Sequence, residues 1–179
     1  MDESAQAVSA TDRVIEANRS YADGFDRGGL EARPASGVAV VACMDARLDV
    51  YRILGIQPGE AHVIRNAGGV VTDEVIRSLA ISQHKLGTTE VIVIGHTNCG
   101  LEGMDQDELA ERLDREARAP RDWTIGAFED VGHSVADSIV LIEESPFLKL
   151  AQSVRGFVYD VNTGALREVG RPDPGPTGP

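Results

Sequence analysis

The sequence predicts an α/β fold in which a central, mostly parallel β-sheet is flanked by helices and carries a hairpin at its C-terminal edge. The first observation is a set of three short runs rich in valine, isoleucine and alanine, at 38–43, 61–65 and 88–96. The first run is apolar throughout and the third is apolar over 91–95, which is typical of strands covered on both faces. The second observation is that segments with helical spacing separate the runs, an alternation typical of doubly wound sheets.

Five helices are predicted from the spacing of apolar residues and from the residues at the helix ends. In the first, Val14, Ala17, Tyr21 and Phe25 recur at helical intervals after Thr11, a candidate N-cap. The others are expected at 47–55, between a cap at Thr72 and a stop at Gly87, at 105–119 and at 130–144.

One domain accounts for nearly the whole chain. A pair of strands is expected across 154–169, turning at Asn162, Thr163 and Gly164, and this pair forms the hairpin at the sheet edge. A length of 179 residues suits one hydrophobic core. We expect a flexible N-terminus over 1–10, a single domain over 11–169 and a disordered tail over 170–179, where proline and glycine dominate.

Charge and hydropathy exclude several classes of partner. The chain has 17 basic and 29 acidic residues, a formal net charge of −12, so we expect neither nucleic acid nor an anionic membrane as partner. No apolar run approaches the roughly 20 residues that a membrane helix needs. The N-terminal residues lack the pattern of a secretory signal, which favours the cytoplasm. A small-molecule substrate is the remaining expectation.

Two cysteines and one histidine form a candidate metal site. Cys43 ends the first predicted strand, His96 ends the third, and Cys99 follows three residues later. The carboxyl ends of neighbouring parallel strands lie at the same edge of a sheet, where doubly wound folds place their sites. Two thiolates and one imidazole leave a fourth position open on Zn²⁺, as in catalytic zinc sites. Two isolated cysteines could otherwise simply be buried thiols.

Asp45 and Arg47 follow Cys43 at alternate positions and add a second signal. Asp45 is close enough in sequence to reach the metal or its water, and Arg47 can hold Asp45 through a two-pronged ion pair. An ordinary surface ion pair is the alternative, since such pairs are common. Because Asp45 and Arg47 lie beside three candidate ligands, we favour a functional role over an ordinary surface pair.

These motifs resemble those of the β-carbonic anhydrases. The resemblance rests on Cys43-Met44-Asp45-Ala46-Arg47, on 62–68 and on His96-Thr97-Asn98-Cys99-Gly100, and it extends over about 10–169, closest to the shorter bacterial and actinobacterial members. It implies one Zn²⁺ per chain and reversible hydration of CO₂ to bicarbonate and a proton. It also implies a homodimer or a dimer of dimers, with the N-terminal helix lying on the neighbouring subunit.

The resemblance leaves two questions open. In some β-carbonic anhydrases the aspartate that matches Asp45 binds the zinc at lower pH and pairs with the arginine at higher pH, so Asp45 is a candidate fourth ligand here. The same ligand set also suits a hydrolase of CS₂ or COS, and a zinc or bicarbonate sensor without catalysis is the alternative from another class.

Four further residues are expected to support the site. Arg65 is expected to bridge a strand end and a loop, and Gly68, Gly69 and Gly100 to permit close backbone approach near the site.

Overall fold

The computed structural model describes residues 8–149 and 151–171, and its centre is a five-stranded sheet in the order β2-β1-β3-β4-β5. The strands are β1 Val38–Cys43, β2 Ala61–Asn66, β3 Glu90–His96, β4 Ser153–Tyr159 and β5 Leu166–Val169. The first four run parallel, and β5 pairs antiparallel with β4. The predicted α/β class, the mostly parallel sheet and the C-terminal edge hairpin are therefore confirmed.

In the described part of the chain, one helix precedes the strands and four connect them. They are α1 Ala10–Asp23, α2 Val50–Leu54, α3 Asp73–Leu86, α4 Gln106–Ala117 and α5 Val131–Glu144, and a single 3₁₀ turn occupies Ala67–Gly69. Thr72 caps α3, as predicted, and Gly87 ends the helix in the left-handed conformation.

Two predicted helix starts were wrong, and a capping residue explains each. The hydroxyl of Ser9, rather than that of Thr11, accepts the backbone N–H of Asp12, and the Asp12 carboxylate accepts the backbone N–H of Ser9. This capping box starts α1 at Ala10 and leaves Thr11 inside the helix. The second helix starts at Val50 rather than at 47, because the Asp49 carboxylate caps it by accepting from the backbone N–H of Arg52.

Helices α3 and α5 cover one face of the sheet, and two glycines let α5 lie very close to it. A Cβ on Gly95 would lie 2.6 Å from a methyl of Val131, and a Cβ on Gly156 would lie 2.4 Å from a methyl of Val135. The other face carries a smaller core around Val40, to which α2 contributes. Strands β1 and β3 are thus buried on both faces, which fixes the positions of the residues at their ends.

Contacts divide the chain into two compact units, Met1–Glu31 and Ala32–Pro179. Helix α1 is the described helix of the first unit, and none of its residues is buried. Its exposed side chains include Val14, Ile15 and Tyr21, and Tyr21 stacks at an angle on the nearby Phe25. The second unit holds the sheet and the other helices. Most of the predicted flexible N-terminus and tail lies outside the described residues, so the domain bounds stay a prediction.

Among the helices of the described segments, none combines the length and the apolar character that crossing a membrane requires.

Candidate metal centre

The sheet brings the three candidate ligands together at the carboxyl ends of its strands. Strands β1 and β3 are direct neighbours, so Cys43 at the end of β1 and His96 at the end of β3 lie side by side. The turn after β3 returns Cys99 to the same point. One donor atom of each residue lies within 4.8 Å of the other two, and all three side chains are buried. This spacing suits three ligands of a single ion.

The imidazole of His96 is oriented as a metal ligand. Its Nδ1 lies 3.0 Å from the carbonyl oxygen of Thr97, and because a carbonyl can only accept, Nδ1 must carry the proton. The lone pair is then on Nε2. This nitrogen is fully buried and has no hydrogen-bond partner among the described residues. A buried polar atom left without a partner is costly, and coordination of a metal would satisfy it.

The Cys99 thiol occupies an environment that disfavours its thiolate unless a cation is present. Both Cys43 and Cys99 are free, and they pack with Leu48, which is buried. Burial raises the pKa of the Cys99 thiol, and the neighbouring Cys43 raises it further. A divalent metal reverses this preference, because a coordinated thiol is deprotonated outright. Two sulfurs and one imidazole nitrogen are a donor set that zinc prefers. The chain's own residues therefore fit zinc.

Asp45 and Arg47 form a two-pronged ion pair beside these donors. Arg47 Nε donates to Asp45 Oδ1 at 2.9 Å, and Nη2 donates to Oδ2 at 2.7 Å. The backbone N–H of Arg47 also donates to Oδ1 at 2.9 Å. These hydrogen bonds, led by the guanidinium, hold the pKa of the Asp45 carboxyl well below its usual range. Asp45 Oδ2 lies 3.7 Å from His96 Nε2, so an ionised carboxylate adjoins the donors.

The predicted site residues form two adjacent groups, a cluster of donors and an ion pair. Cys43, His96 and Cys99 form the three-donor cluster, and Asp45 lies next to it but is paired with Arg47. The remaining histidines have other partners. His62 bonds the hydroxyl of Ser82 and the carbonyl of Ala32, His84 bonds the carbonyl of Phe147, and His133 lies exposed near Asp130.

Arg65 and Gly69 support the cluster from behind. Arg65 Nε donates to the carbonyl of Cys43 at 2.9 Å and its Nη2 to the carbonyl of Asp45 at 2.7 Å, so the side chain bridges strand and loop as expected. A Cβ on Gly69 would lie 2.8 Å from the backbone nitrogen of Cys43. The close approach expected of Gly68 is also present, since a Cβ there would lie 2.8 Å from Leu101. Gly100 has no atom within 4 Å of such a Cβ, so the expectation was wrong there.

Sequence reasoning missed two features of the site. Arg47 Nη2 also donates to the carbonyl of Asn98, in the turn between His96 and Cys99. A backbone acceptor has no signature in sequence, although asparagine is one of the few residues that accept a left-handed turn. Leu101 and Phe128 form an apolar wall against the thiols. Phe128 comes from the loop before α5, for which the apolar spacing predicted no element.

Comparison with known proteins agrees with this geometry. A family model described as carbonic anhydrase matches residues 38–123. β-Carbonic anhydrase 1 of Mycobacterium tuberculosis is 49% identical over 162 residues, covering 90% of this chain and 99% of that protein. The crystal structure of a carbonic anhydrase from Streptococcus mutans superposes with a TM-score of 0.85 at 42% identity, covering 92% of this chain and 100% of that one.

A second group of relatives carries a different name. The carbon disulfide hydrolase of Saccharolobus solfataricus is 34% identical, covering 72% of this chain and 75% of that protein. Its similarity is weaker and its coverage shorter than those of the mycobacterial relative. Sequence similarity over nearly the full length, together with the arrangement of the site, shows that the chain belongs to the β-carbonic anhydrase family.

Proposed function

We propose that the protein catalyses the reversible hydration of CO₂ to bicarbonate and a proton, with one zinc ion per chain held by Cys43, His96 and Cys99. The observation that carries the proposal is the buried three-donor cluster, in which His96 Nε2 has no other partner among the described residues and an ionised Asp45 lies 3.7 Å away. The mycobacterial relative named β-carbonic anhydrase 1 supports CO₂ as the substrate.

Zinc in this site would lower the pKa of a water molecule to about 7 and so supply a nucleophile near neutral pH. The chain's own residues supply orientation. The Asp45 carboxylate, held ionised by Arg47, can accept a hydrogen bond from the attacking water and direct its lone pair toward the carbon of CO₂. The apolar side chains of Leu101 and Phe128 beside the thiols suit an uncharged, apolar substrate.

We propose two alternative roles for Asp45, as the partner of Arg47 and as a fourth metal ligand, and it can fill only one at a time. Paired with Arg47, as in this structure, it leaves the fourth metal position open to water. Turned toward the metal, it would be a fourth ligand and close the site. Its Oδ2 is 3.7 Å from His96 Nε2, a separation that a side-chain rotation can shorten. Activity that rises steeply between mildly acid and mildly alkaline pH is the result expected of such an exchange.

Stopped-flow CO₂ hydration with a pH indicator tests the proposal. Zinc-loaded wild-type protein should accelerate hydration, and Asp45→Ala should lower kcat/KM by about 10²-fold, within the range for loss of a positioned proton acceptor. Asp137→Ala is the matched control, because Asp137 is an exposed aspartate on α5 and should leave the rate unchanged. Absence of zinc-dependent acceleration at any pH would overturn the assignment.

Hydrolysis of CS₂ or COS, and sensing of zinc or bicarbonate without catalysis, are the two alternative functions, and each can be distinguished from CO₂ hydration by assay. The relatives named carbon disulfide hydrolase make CS₂ the second candidate substrate. COS has the same kind of electrophilic carbon and is tested beside it, and sulfide release from either compound measures that activity directly. A rate of CS₂ or COS hydrolysis above that of CO₂ hydration would reassign the substrate. A zinc or bicarbonate sensor would bind its ligand without turnover, and the Asp45–Arg47 pair has no evident purpose in such a protein.

We also propose a homodimer, or a dimer of dimers, acting in the cytoplasm. Support for association comes from the exposed apolar side chains of α1 and from β2, an edge strand whose outer side has no partner strand in the described sheet. Light scattering after gel filtration should give at least twice the mass of one chain, and Phe25→Glu should reduce it. Two reduced, buried cysteines suit the cytoplasm.

A further inference from the structure

Asn98 has an unusual backbone conformation for a residue with a side chain. Among the described residues, only Asn98 and Arg118 are non-glycine residues with a positive φ, at 55° and 54°. Arg118 follows the last residue of α4, a position where left-handed residues are common. Asn98 ends no helix. It lies inside the turn from His96 to Cys99, so the local chain gives no equivalent reason for the conformation.

The left-handed turn directs the carbonyl of Asn98 toward Arg47. Arg47 Nη2 donates to this carbonyl at 2.9 Å and donates to Asp45 Oδ2 at 2.7 Å. One guanidinium nitrogen therefore links the turn that carries Cys99 to the carboxylate beside the donor cluster. The other side of the turn is already fixed, because Thr97 N donates to the carbonyl of Tyr159 at 3.0 Å. The Asn98 carbonyl completes the attachment.

Arg47 needs this second acceptor because its side chain is 48% exposed. The two-pronged pair joins residues only two apart in the chain, so it cannot by itself tie them to the turn that carries Cys99. A backbone carbonyl in a turn anchored to β4 is a more rigid partner than another side chain. With both acceptors, the planar guanidinium is held in one orientation, and so is the carboxylate that it binds.

We propose that Asn98 is a positioning residue for the Asp45–Arg47 pair, acting through its left-handed backbone rather than through its side chain. The catalytic part of this inference rests on the proposed function of Asp45. The structural part does not, since it concerns only how firmly Arg47 is held.

Three variants separate conformation from side chain. Asn98→Gly keeps the left-handed conformation without the amide, whereas Asn98→Ala disfavours the conformation. Arg118→Ala imposes the same conformational change at nearly the same φ, far along the chain at the end of α4. Asn98→Ser replaces Asn98→Ala if the alanine variant does not fold.

The first measurement needs neither metal nor activity. In metal-free protein, NMR measures the exchange of the Arg47 Nε–H with water, a proton that bonds Asp45 Oδ1. We expect exchange to accelerate at least about fivefold in Asn98→Ala and to stay within about twofold of wild type in Asn98→Gly and Arg118→Ala, because only the first loses the carbonyl contact.

The second measurement is kcat/KM for CO₂ hydration by zinc-loaded protein. We expect Asn98→Ala to lose about tenfold, and Asn98→Gly and Arg118→Ala to stay within about twofold of wild type. In an Arg47→Ala background, adding Asn98→Ala should change kcat/KM by less than about twofold, because the residue through which it acts is gone.

Three results would overturn the inference. They are equal behaviour of Asn98→Ala and Arg118→Ala, impairment of Asn98→Gly as great as that of Asn98→Ala, and an undiminished effect of Asn98→Ala without Arg47. If wild-type protein does not hydrate CO₂, the proposed function fails, and the exchange of the Arg47 Nε–H alone decides whether Asn98 positions Arg47.

Discussion

Replacing Gly69 by alanine would place one methyl group between the two strands that carry the metal ligands. Gly69 has a φ of +67°, a left-handed conformation that alanine adopts poorly. Its Cβ would lie 2.8 Å from the backbone nitrogen of Cys43, 3.0 Å from the carbonyl carbon of Ala42 and 3.1 Å from the carbonyl oxygen of Ile94. All three are backbone atoms of core strands, so no side-chain rotation can relieve the contacts.

The expected loss of stability has two parts. The left-handed conformation costs an alanine about 1–2 kcal/mol. Forcing a methyl into a packed core costs about 1–3 kcal/mol more, and the upper part of that range applies here because backbone must move. Gly69→Ala should therefore lower the free energy of unfolding by about 3–5 kcal/mol. Movement of β1 would also displace Cys43 and weaken zinc binding.

Two further glycines separate these contributions. Gly103 has the same φ of +67°, but a Cβ there would have no atom within 4 Å, so Gly103→Ala measures the conformational cost alone, about 1–2 kcal/mol. Gly100 has neither a positive φ nor a close neighbour, and Gly100→Ala should stay within about 0.5 kcal/mol of wild type. Urea unfolding of the metal-free proteins gives all three values. A loss for Gly69→Ala no greater than for Gly103→Ala would refute the steric argument.

Three other perturbations test the packing and charge of the site. Gly156→Ala brings a Cβ within 2.4 Å of Val135, so we expect a loss of about 1–3 kcal/mol in urea unfolding, partly restored by adding Val135→Ala; no restoration would argue against that contact as the cause. Arg65→Ala removes the donors to two backbone carbonyls and should cost about 1–3 kcal/mol, whereas an unchanged stability would show that the bridge contributes nothing. The pKa of Asp45 is lowered in the folded state, so its pairing stabilises the metal-free protein above the unfolded pKa of about 4 and the contribution is lost as pH falls below it. The difference in unfolding free energy between wild type and Asp45→Asn should therefore shrink from pH 7 to pH 3, and a constant difference would contradict the assigned pairing.

The centre of the sheet could be predicted because β1 is apolar throughout and β3 is apolar between its two end residues. The run 38–43 coincides with β1, and 61–65 differs from β2 by one residue. Helix ends were less certain, because several polar residues compete to cap the same turn. Ser9 and Thr11 are both good N-caps, and only Ser9 has Asp12 at the spacing that completes a capping box. The order of the strands follows from packing between distant segments, which local patterns do not encode.

Within the site, residue types and spacing predicted the donors but not the contacts that hold them. Cys43, His96 and Cys99 could be recognised because few other roles need two thiols and an imidazole at strand ends. The carbonyl of Asn98 is a backbone group and depends on a turn conformation, so no residue pattern announces it. Phe128 reaches the thiols from a loop without regular spacing, and its place depends on backbone hydrogen bonds to Leu101 and Gly103, which are distant in sequence.

Titration of metal-free protein with zinc, followed by stopped-flow CO₂ hydration at each addition, tests the central claim most directly. The rate should rise in proportion to added zinc and reach a plateau at one zinc per chain. Cys99→Ser should need far more zinc to approach any plateau, because it lacks one of the three donors. A rate independent of zinc, or a Cys99→Ser variant that titrates like wild type, would contradict the assignment of this cluster as the catalytic metal centre.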